Sequence, residues 1–237
     1  MTELGDLKKE LRKYANAEKA TFFPRFFKTG KGEYGEGDQF IGVTVPNVRT
    51  VAKQFKNLPL KDIKSLLYSP IHEERLVALL ILVDQFQKGN EETRRTIFDF
   101  YLSHTKQVNN WDLVDLTAPY IVSKYLLDKP RGILYKLAQS NNLWERRIAI
   151  MGTFAFITKN KEYEDTFKIA EILLHDKHDL IHKAVGWMLR EVGKRISRGK
   201  EEEFLKKHYK TMPRTMLRYA IEKFPEDKRK AYLKGTI

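Results

Sequence analysis

Apolar residues along the chain recur mainly at intervals of three and four, the spacing that lines one face of an α-helix. Leu7, Leu11 and Tyr14 make one short stripe, and Ile63, Leu66 and Leu67 make another. Ile71, the stretch from Arg75 through Val83, and Phe86 predict a third helix that is apolar almost all round and therefore buried. Strand-type alternation is nearly absent. Residues 40–45, Phe-Ile-Gly-Val-Thr-Val, are the one strand candidate, with Pro46 expected to stop it. Helix starts are expected at Ser69-Pro70, at Asn110 before Trp111, at Asn142 before Leu143, and at Thr211 before Met212-Pro213. At such points small polar side chains or proline suit the unpaired first backbone N–H groups. The expected fold class is all-α.

A longer period lies over the helical one. Arg75, Trp111, Arg147 and Lys183 stand 36 residues apart, and Arg218 follows 35 later. Most are followed by a similar apolar and small signature, Leu76-Val-Ala-Leu-Leu, Ile148-Ala-Ile-Met-Gly, Ala184-Val-Gly-Trp-Met and Tyr219-Ala-Ile. Each interval has room for a turn and one further helix. A period of about 35–40 residues with two helices per unit is that of HEAT-like α-solenoids, whose units bury their apolar faces only by stacking. The expectation is one repeat domain over residues 1–237, built of about six antiparallel helix pairs by this period. Equivalent positions then share a face, and four residues on from the leads stand Leu79, Asp115, Met151, Trp187 and Glu222. Cations, two indoles and a carboxylate are thus expected on one ligand-facing groove, the concave one in most solenoids.

Composition narrows the partner. The formal net charge is +13, from 44 Lys and Arg against 31 Asp and Glu. Such an excess attracts polyanions, nucleic acid first, although it also fits an ordinary basic surface. There is no cysteine, which excludes disulfides, thiolate catalysis and Cys-ligated zinc or iron–sulfur centres. Apolar runs such as residues 78–83 and 184–189 are far shorter than the roughly 20 residues that span a bilayer. The N-terminus, Met1-Thr-Glu-Leu-Gly-Asp, lacks the apolar core of a secretory signal. A soluble, cytoplasmic protein of bacterial type, with no membrane partner, is expected.

Other strings carry less. Gly30-x-Gly32-x-x-Gly35 has the letters of a dinucleotide fingerprint, but it follows a helical stretch over residues 21–28 and leads into no βαβ unit, so it reads as a flexible loop. His175, His178 and His182 are not expected to bind metal, because His175 and Asp176 fall between helices and no first shell is completed. Glu73 with Glu74, and Glu201 to Glu203, are expected to be solvated helix ends that favour the N-terminal dipole.

The segments Asn110-Trp-Asp-Leu-Val-Asp115, Asn142-Leu-Trp-Glu-Arg-Arg147 and Lys183-Ala-Val-Gly-Trp-Met-Leu-Arg190 closely resemble the signatures of the AlkD-type DNA alkylation repair enzymes, HEAT-like-repeat DNA glycosylases. The segment Phe40-Ile-Gly-Val-Thr-Val-Pro-Asn-Val-Arg49 is similar to that family's N-terminal motif. The resemblance runs from about Tyr14 to about Phe224. It implies hydrolysis of the N-glycosidic bond of cationic N3- and N7-alkylpurines in duplex DNA, leaving an abasic site, without the base being flipped into a pocket. It further implies that Trp111 and Trp187 flank the damaged nucleotide, that Asp115 is the essential carboxylate with Arg147 beside it, and that Arg49 and Arg190 hold phosphates. The repeat frame adds Arg75, Lys183 and Arg218 as DNA-binding candidates.

Elementary chemistry agrees with these residue types. An alkylated purine is already a cationic leaving group, and its loss builds positive charge on the deoxyribose, as in glycoside hydrolysis. A carboxylate such as Asp115 stabilises that charge and orients water. Indole faces such as those of Trp111 and Trp187 attract cations by about 0.5 to 2 kcal/mol. Arg147 either keeps Asp115 ionised or grips a phosphate. No metal or organic cofactor is needed, and a monomer suffices to wrap DNA. Two rivals remain at this level: an inactive paralogue that binds DNA structure, and a protein-binding helical scaffold.

Overall fold

The computed structural model describes residues 3–237 and is all-helical, with fifteen α-helices and no strand among the described residues. Met1 and Thr2, with which the segment read for a secretory signal begins, lie outside the described residues. No helix among the described residues is long and apolar enough to cross a membrane. The chain packs as two compact units, Met1–Thr117 and Ala118–Ile237.

The N-terminal unit holds α1 (Glu3–Lys13), α2 (Ala17–Phe26), α3 (Val45–Gln54), α4 (Leu60–Leu67), α5 (His72–Lys88), α6 (Glu91–Ser103) and the short α7 (Trp111–Asp115). Its axis is α5, which packs against α3, α4, α6 and α7. That explains the all-round apolar pattern: Leu76, Val77, Ala78, Leu79, Ile81 and Leu82 are buried because the helix has neighbours on every side.

The strand candidate does not become a strand. Residues 40–44 are extended, but the only bridge among the described residues is an isolated parallel one between Gln39 and Ile71. The carboxylate of Glu73 takes the place of a partner strand, accepting from the backbone N–H groups of Ile41 (3.2 Å), Gly42 (2.8 Å) and Val43 (3.1 Å). Pro46 ends no strand; it lies in the first turn of α3, where its missing N–H costs nothing. Gly42 has φ +80, and a Cβ there would meet the backbone of Asn16 and Ala20, so only glycine fits.

The C-terminal unit holds α8 (Val122–Tyr125), α9 (Gly132–Ala138), α10 (Leu143–Met151), α11 (Glu164–Ile172), α12 (Asp179–Arg195), α13 (Arg198–His208), α14 (Arg214–Ala220) and α15 (Glu226–Lys234), with a π-helical turn over Phe156–Asn160. Here α10, α12 and α14 stack in sequence, while α9 pairs with α11 behind them, giving two layers of repeated helix pairs. Gly186 lets α12 and α14 approach closely: a Cβ would stand 2.6 Å from that of Tyr219. The period of 36 therefore has a structural meaning. Its lead residues Arg75, Trp111, Arg147, Lys183 and Arg218 fall in α5, α7, α10, α12 and α14.

Expected helix starts hold at Asn110 and Asn142, whose side chains accept from the N–H groups of Trp111 and Trp144. The other two are displaced. Ser69 accepts from the N–H of Ile71, so α5 begins at His72, and α14 begins at Arg214 after Pro213. The acidic residues need a larger correction. Glu73, Glu74 and Glu201 are buried rather than solvated: Glu73 holds the extended segment, and Glu74 is paired with Lys8 (2.8 Å) and Arg12 (3.2 Å).

Candidate functional site

In the N-terminal unit the chemistry gathers on α7. Asn110, fully buried, caps it by accepting from the Trp111 N–H at 2.9 Å. The Trp111 indole, half-buried, lies flat on the Phe27 ring (centroids 5.4 Å apart, planes 14°) and meets Phe26 edge-on (5.8 Å, 73°). Phe27 in turn stacks on Phe40 (5.0 Å, 19°), so three near-parallel rings stack with the buried Phe27 between two half-buried ones. Such contacts fix the indole plane as well as its position. Phe26 is exposed by 51% and Phe22 by 59%, and these two rings stack on each other outside the wall.

Asp115 ends α7, four residues from Trp111, and is half-buried. Beneath this turn Tyr101 exchanges a hydrogen bond with Thr117 (2.8 Å). Burial pushes the Tyr101 hydroxyl well above its ordinary value; the Thr117 bond opposes this and the Asp115 charge adds to it, so the phenol stays neutral. Arg49, on α3, is exposed to solvent.

Arg75 departs from its expected role. It is buried, bonded to Asp38 at 2.6 Å and donating to the Ser69 carbonyl at 2.9 Å, and so presents no guanidinium to a ligand. Leu79 and Met151, one turn on from Arg75 and Arg147, are also buried. The lead positions therefore do not all line one ligand-facing surface: the first two turns of these helices also face neighbouring chain, and a guanidinium there finds carbonyls to satisfy.

The C-terminal unit tells a similar story at Arg147, which is buried and donates to the Leu180 carbonyl in the first turn of α12. Farther along α12, Lys183 pairs with Asp179 at 2.6 Å, and Arg190 pairs with Glu222 on the turn after α14. Asp179 is held below the usual carboxylate range: burial raises it, but bonds from Lys183 and Thr215 outweigh that. Trp187 is half-buried and its Nε1–H donates to Glu191 at 3.3 Å. Arg218, on α14, is exposed. The helix α12 thus carries Lys183, Trp187 and Arg190 on one element, each already engaged with an acid.

The other strings resolve into local structure. The glycine-rich loop folds onto its own acids: Glu33 accepts from the Gly30 N–H and Glu36 from the Gly32 N–H, both at 2.8 Å. Those amides face carboxylates rather than an open phosphate cradle. His178 caps α12, accepting from the Leu180 N–H, and burial lowers its pKa below the ordinary value. His182 bonds the Asp176 carbonyl at 2.5 Å. No metal-ready cluster of His, Asp and Glu occurs among the described residues. A cleft of about 680 Å³ opens between the α9–α10 and α11–α12 turns, crossed by the Arg146–Asp176 ion pair; His175 and His178 line it, but none of the expected catalytic or DNA-binding residues does.

What sequence reasoning missed is the polar layer under Trp111, made of Asp38, His72 and Asp112. Asn110 and Asp112 sit inside a motif that was read, but His72 and Asp38 carry no signal of their own.

A sequence model of the DNA alkylation repair enzyme family matches residues 7–224. No curated protein sequence matches the chain significantly. Among solved structures, one described as a predicted DNA alkylation repair enzyme from Enterococcus faecalis is similar, with a TM-score of 0.70 at 18% identity, covering 90% of this chain and 97% of that one.

Proposed function

The chain belongs to the DNA alkylation repair enzyme family, and from that premise we propose that it is a monofunctional DNA glycosylase acting on cationic N3- and N7-alkylated purines in duplex DNA. The observation that carries this reading is the pairing on α7 of an indole with its plane fixed by Phe27 and a carboxylate one helical turn away.

In the proposed reaction the bond between the purine nitrogen and the sugar carbon breaks first, and the base leaves neutral with the bonding pair. The cationic charge passes to the deoxyribose, where the Asp115 carboxylate and the Trp111 indole stabilise it; Trp187, in the C-terminal unit, is proposed as the second catalytic indole. Water then adds to the sugar carbon and loses its proton, leaving an abasic site. Nothing in this sequence calls for a metal, a cofactor or a base pulled from the stack. Arg49 of the N-terminal unit and Lys183, Arg190 and Arg218 of the C-terminal unit are proposed as phosphate contacts, in a cytoplasmic monomer. For Arg147, donation to the Leu180 carbonyl favours a structural share in its role. For Arg75, burial with Asp38 removes it from the contact set.

The test is release of free methylated purine from methylated duplex DNA by wild type and Asp115→Asn together. The variant should lose about 100-fold or more in rate, on the scale of removing a preorganised charge-stabilising group, while duplex affinity stays level or rises. Equal release by both proteins overturns the role of Asp115. Release by neither, with salt-sensitive duplex binding intact, leaves a DNA-recognition protein in place of a glycosylase.

A further inference from the structure

Beneath the Trp111 stack lies a group that the proposed reaction does not use. His72 opens α5 and is 2% exposed. Its Nδ1 faces Asp38 Oδ2 at 3.1 Å and its Nε2 faces Asp112 Oδ2 at 2.8 Å. A carboxylate only accepts, so both ring nitrogens must donate, and only the imidazolium carries two N–H groups. The charges facing the ring say the same. Asp38 arrives from the loop, Asp112 from α7 and Arg75 from α5 itself, while the neighbouring Glu73 is committed to the amides of residues 41–43. With His72 protonated the buried set of His72, Asp38, Asp112 and Arg75 sums to zero; with neutral imidazole it carries an uncompensated negative charge, which burial makes costly.

The position of this ring matters more than its charge. Asp112 is the second residue of α7, directly after Trp111. Asp38 also accepts from the Asn110 side chain at 3.5 Å, and Asn110 is the cap of α7. The faces of the imidazole are used too: the ring stacks on Phe40 (4.7 Å, 24°) and lies against Phe27 (4.9 Å, 38°), the ring on which Trp111 rests. His72 therefore touches α7 by two routes, a polar one through Asp112 and the Asp38–Asn110 link, and an aromatic one through Phe27.

We propose that His72 is a positioning residue for the reaction: as an imidazolium clamped between Asp38 and Asp112, it fixes the start of α7 and so sets where Trp111 and Asp115 stand. The catalytic half of this assignment rests on the glycosylase reading; the structural half does not. Burial alone drives the His72 pKa down, but the Asp112 charge and hydrogen bond, joined by the Asp38 bond, overcome both that and the Arg75 charge, raising it to about 9. The clamp is closed at neutral pH.

The experiment follows two resonances of the wild-type protein from pH 6 to 10: the ring nitrogens of His72 and the indole N–H of Trp111, the latter assigned with Trp111→Phe. The expected result is a doubly protonated His72 up to about pH 9, with the Trp111 signal moving at the same midpoint. In Asp112→Asn that midpoint falls by about one unit or more, the usual effect of losing an adjacent opposite charge. In His72→Gln the Trp111 signal is displaced already at pH 7, and base release at saturating DNA falls about 10- to 100-fold, the cost of a small misplacement, with duplex affinity unchanged. A His72 that titrates near its ordinary value, or a Trp111 signal indifferent to His72, overturns the proposal. Should His72→Gln not fold, the wild-type titration alone decides. If the two resonances move together in a protein that releases no base, the glycosylase reading falls and the positioning of α7 by His72 stands.

Discussion

In the N-terminal unit Asp38, His72, Arg75 and Asp112 are buried together and bonded to one another beneath the aromatic wall that carries Trp111. In the C-terminal unit the charged side chains on the helix of Trp187 form separate pairs with at least one partner open to solvent, Lys183 with Asp179, Arg190 with Glu222 and Arg195 with the buried Glu191, and the deeply buried Glu201 lies apart from them. The difference separates two jobs that charge can do. A buried network of mutually paired charges holds a short helix in one geometry, since any member lost leaves another uncompensated. Surface pairs contribute little to stability and exchange partners readily. The first arrangement suits a group that must not move, and the second suits cations that must be handed to a phosphate.

The sharpest way to break that comparison is to remove one member of the buried set. Asp38→Leu leaves Arg75 and His72 facing a single carboxylate. Urea unfolding should show a loss of about 3–5 kcal/mol, the cost of stranding a buried charge. A loss under 1 kcal/mol would mean that the network is relaxed by solvent and no different in kind from the surface pairs.

A second effect separates the units by pH. Glu201 is pushed up to about 8, chiefly by burial, with Arg198 opposing and Glu202 adding. Its side chain packs on the bare Cα of Gly193, where a Cβ would overlap the carboxylate. A carboxyl raised above its ordinary 4.5 contributes stability that is complete below that value and lost as pH rises through 8. For His72, raised from 6.5 to about 9, the contribution is complete below 6.5 and lost as pH rises through 9. The stability difference between wild type and Glu201→Gln should therefore slope by up to about 1.4 kcal/mol per pH unit between the two Glu201 values and level off above 8. A flat difference across that window would show that Glu201 ionises normally and that the C-terminal unit has no buried neutral acid.

Which parts of this were legible in sequence follows from the reach of the pattern. Helices such as α5 and α12 announce themselves because the residues that define a face lie three and four apart, and the caps at Asn110 and Asn142 act within two residues. The 36-residue period correctly selects α5, α7, α10, α12 and α14. The burial of Arg75, Glu73 and His72 was not legible, because their partners lie far along the chain: Glu73 reaches residue 41, and His72 joins residues 38 and 112, separations of 32, 34 and 40. Those spans are about one repeat, so an acid or an arginine that secures the preceding repeat looks, inside its own helix, like a solvated one. Residues 40–44 misled for the same reason, their apolar alternation being real but their hydrogen-bond partner a side chain in the next repeat.

The smallest expected effect on stability carries the most information on function. Glu222 holds Arg190 and also pairs with Lys223 at 2.9 Å, and its side chain is 45% exposed. Replacing it with glutamine should change stability by less than about 1 kcal/mol. If Arg190 is a phosphate contact, the same change removes a competitor for its guanidinium. Duplex affinity should then rise for damaged and undamaged DNA alike, and the dependence of binding on salt should steepen by about one unit. Arg190→Ala should move both quantities the other way. Titration of an undamaged duplex at several salt concentrations distinguishes the cases. Affinity and slope unchanged in both variants would mean that Arg190 and Glu222 tie α12 to the turn after α14 and nothing more. The C-terminal unit would then use its surface charge as the N-terminal unit uses its buried charge, to hold helices in place.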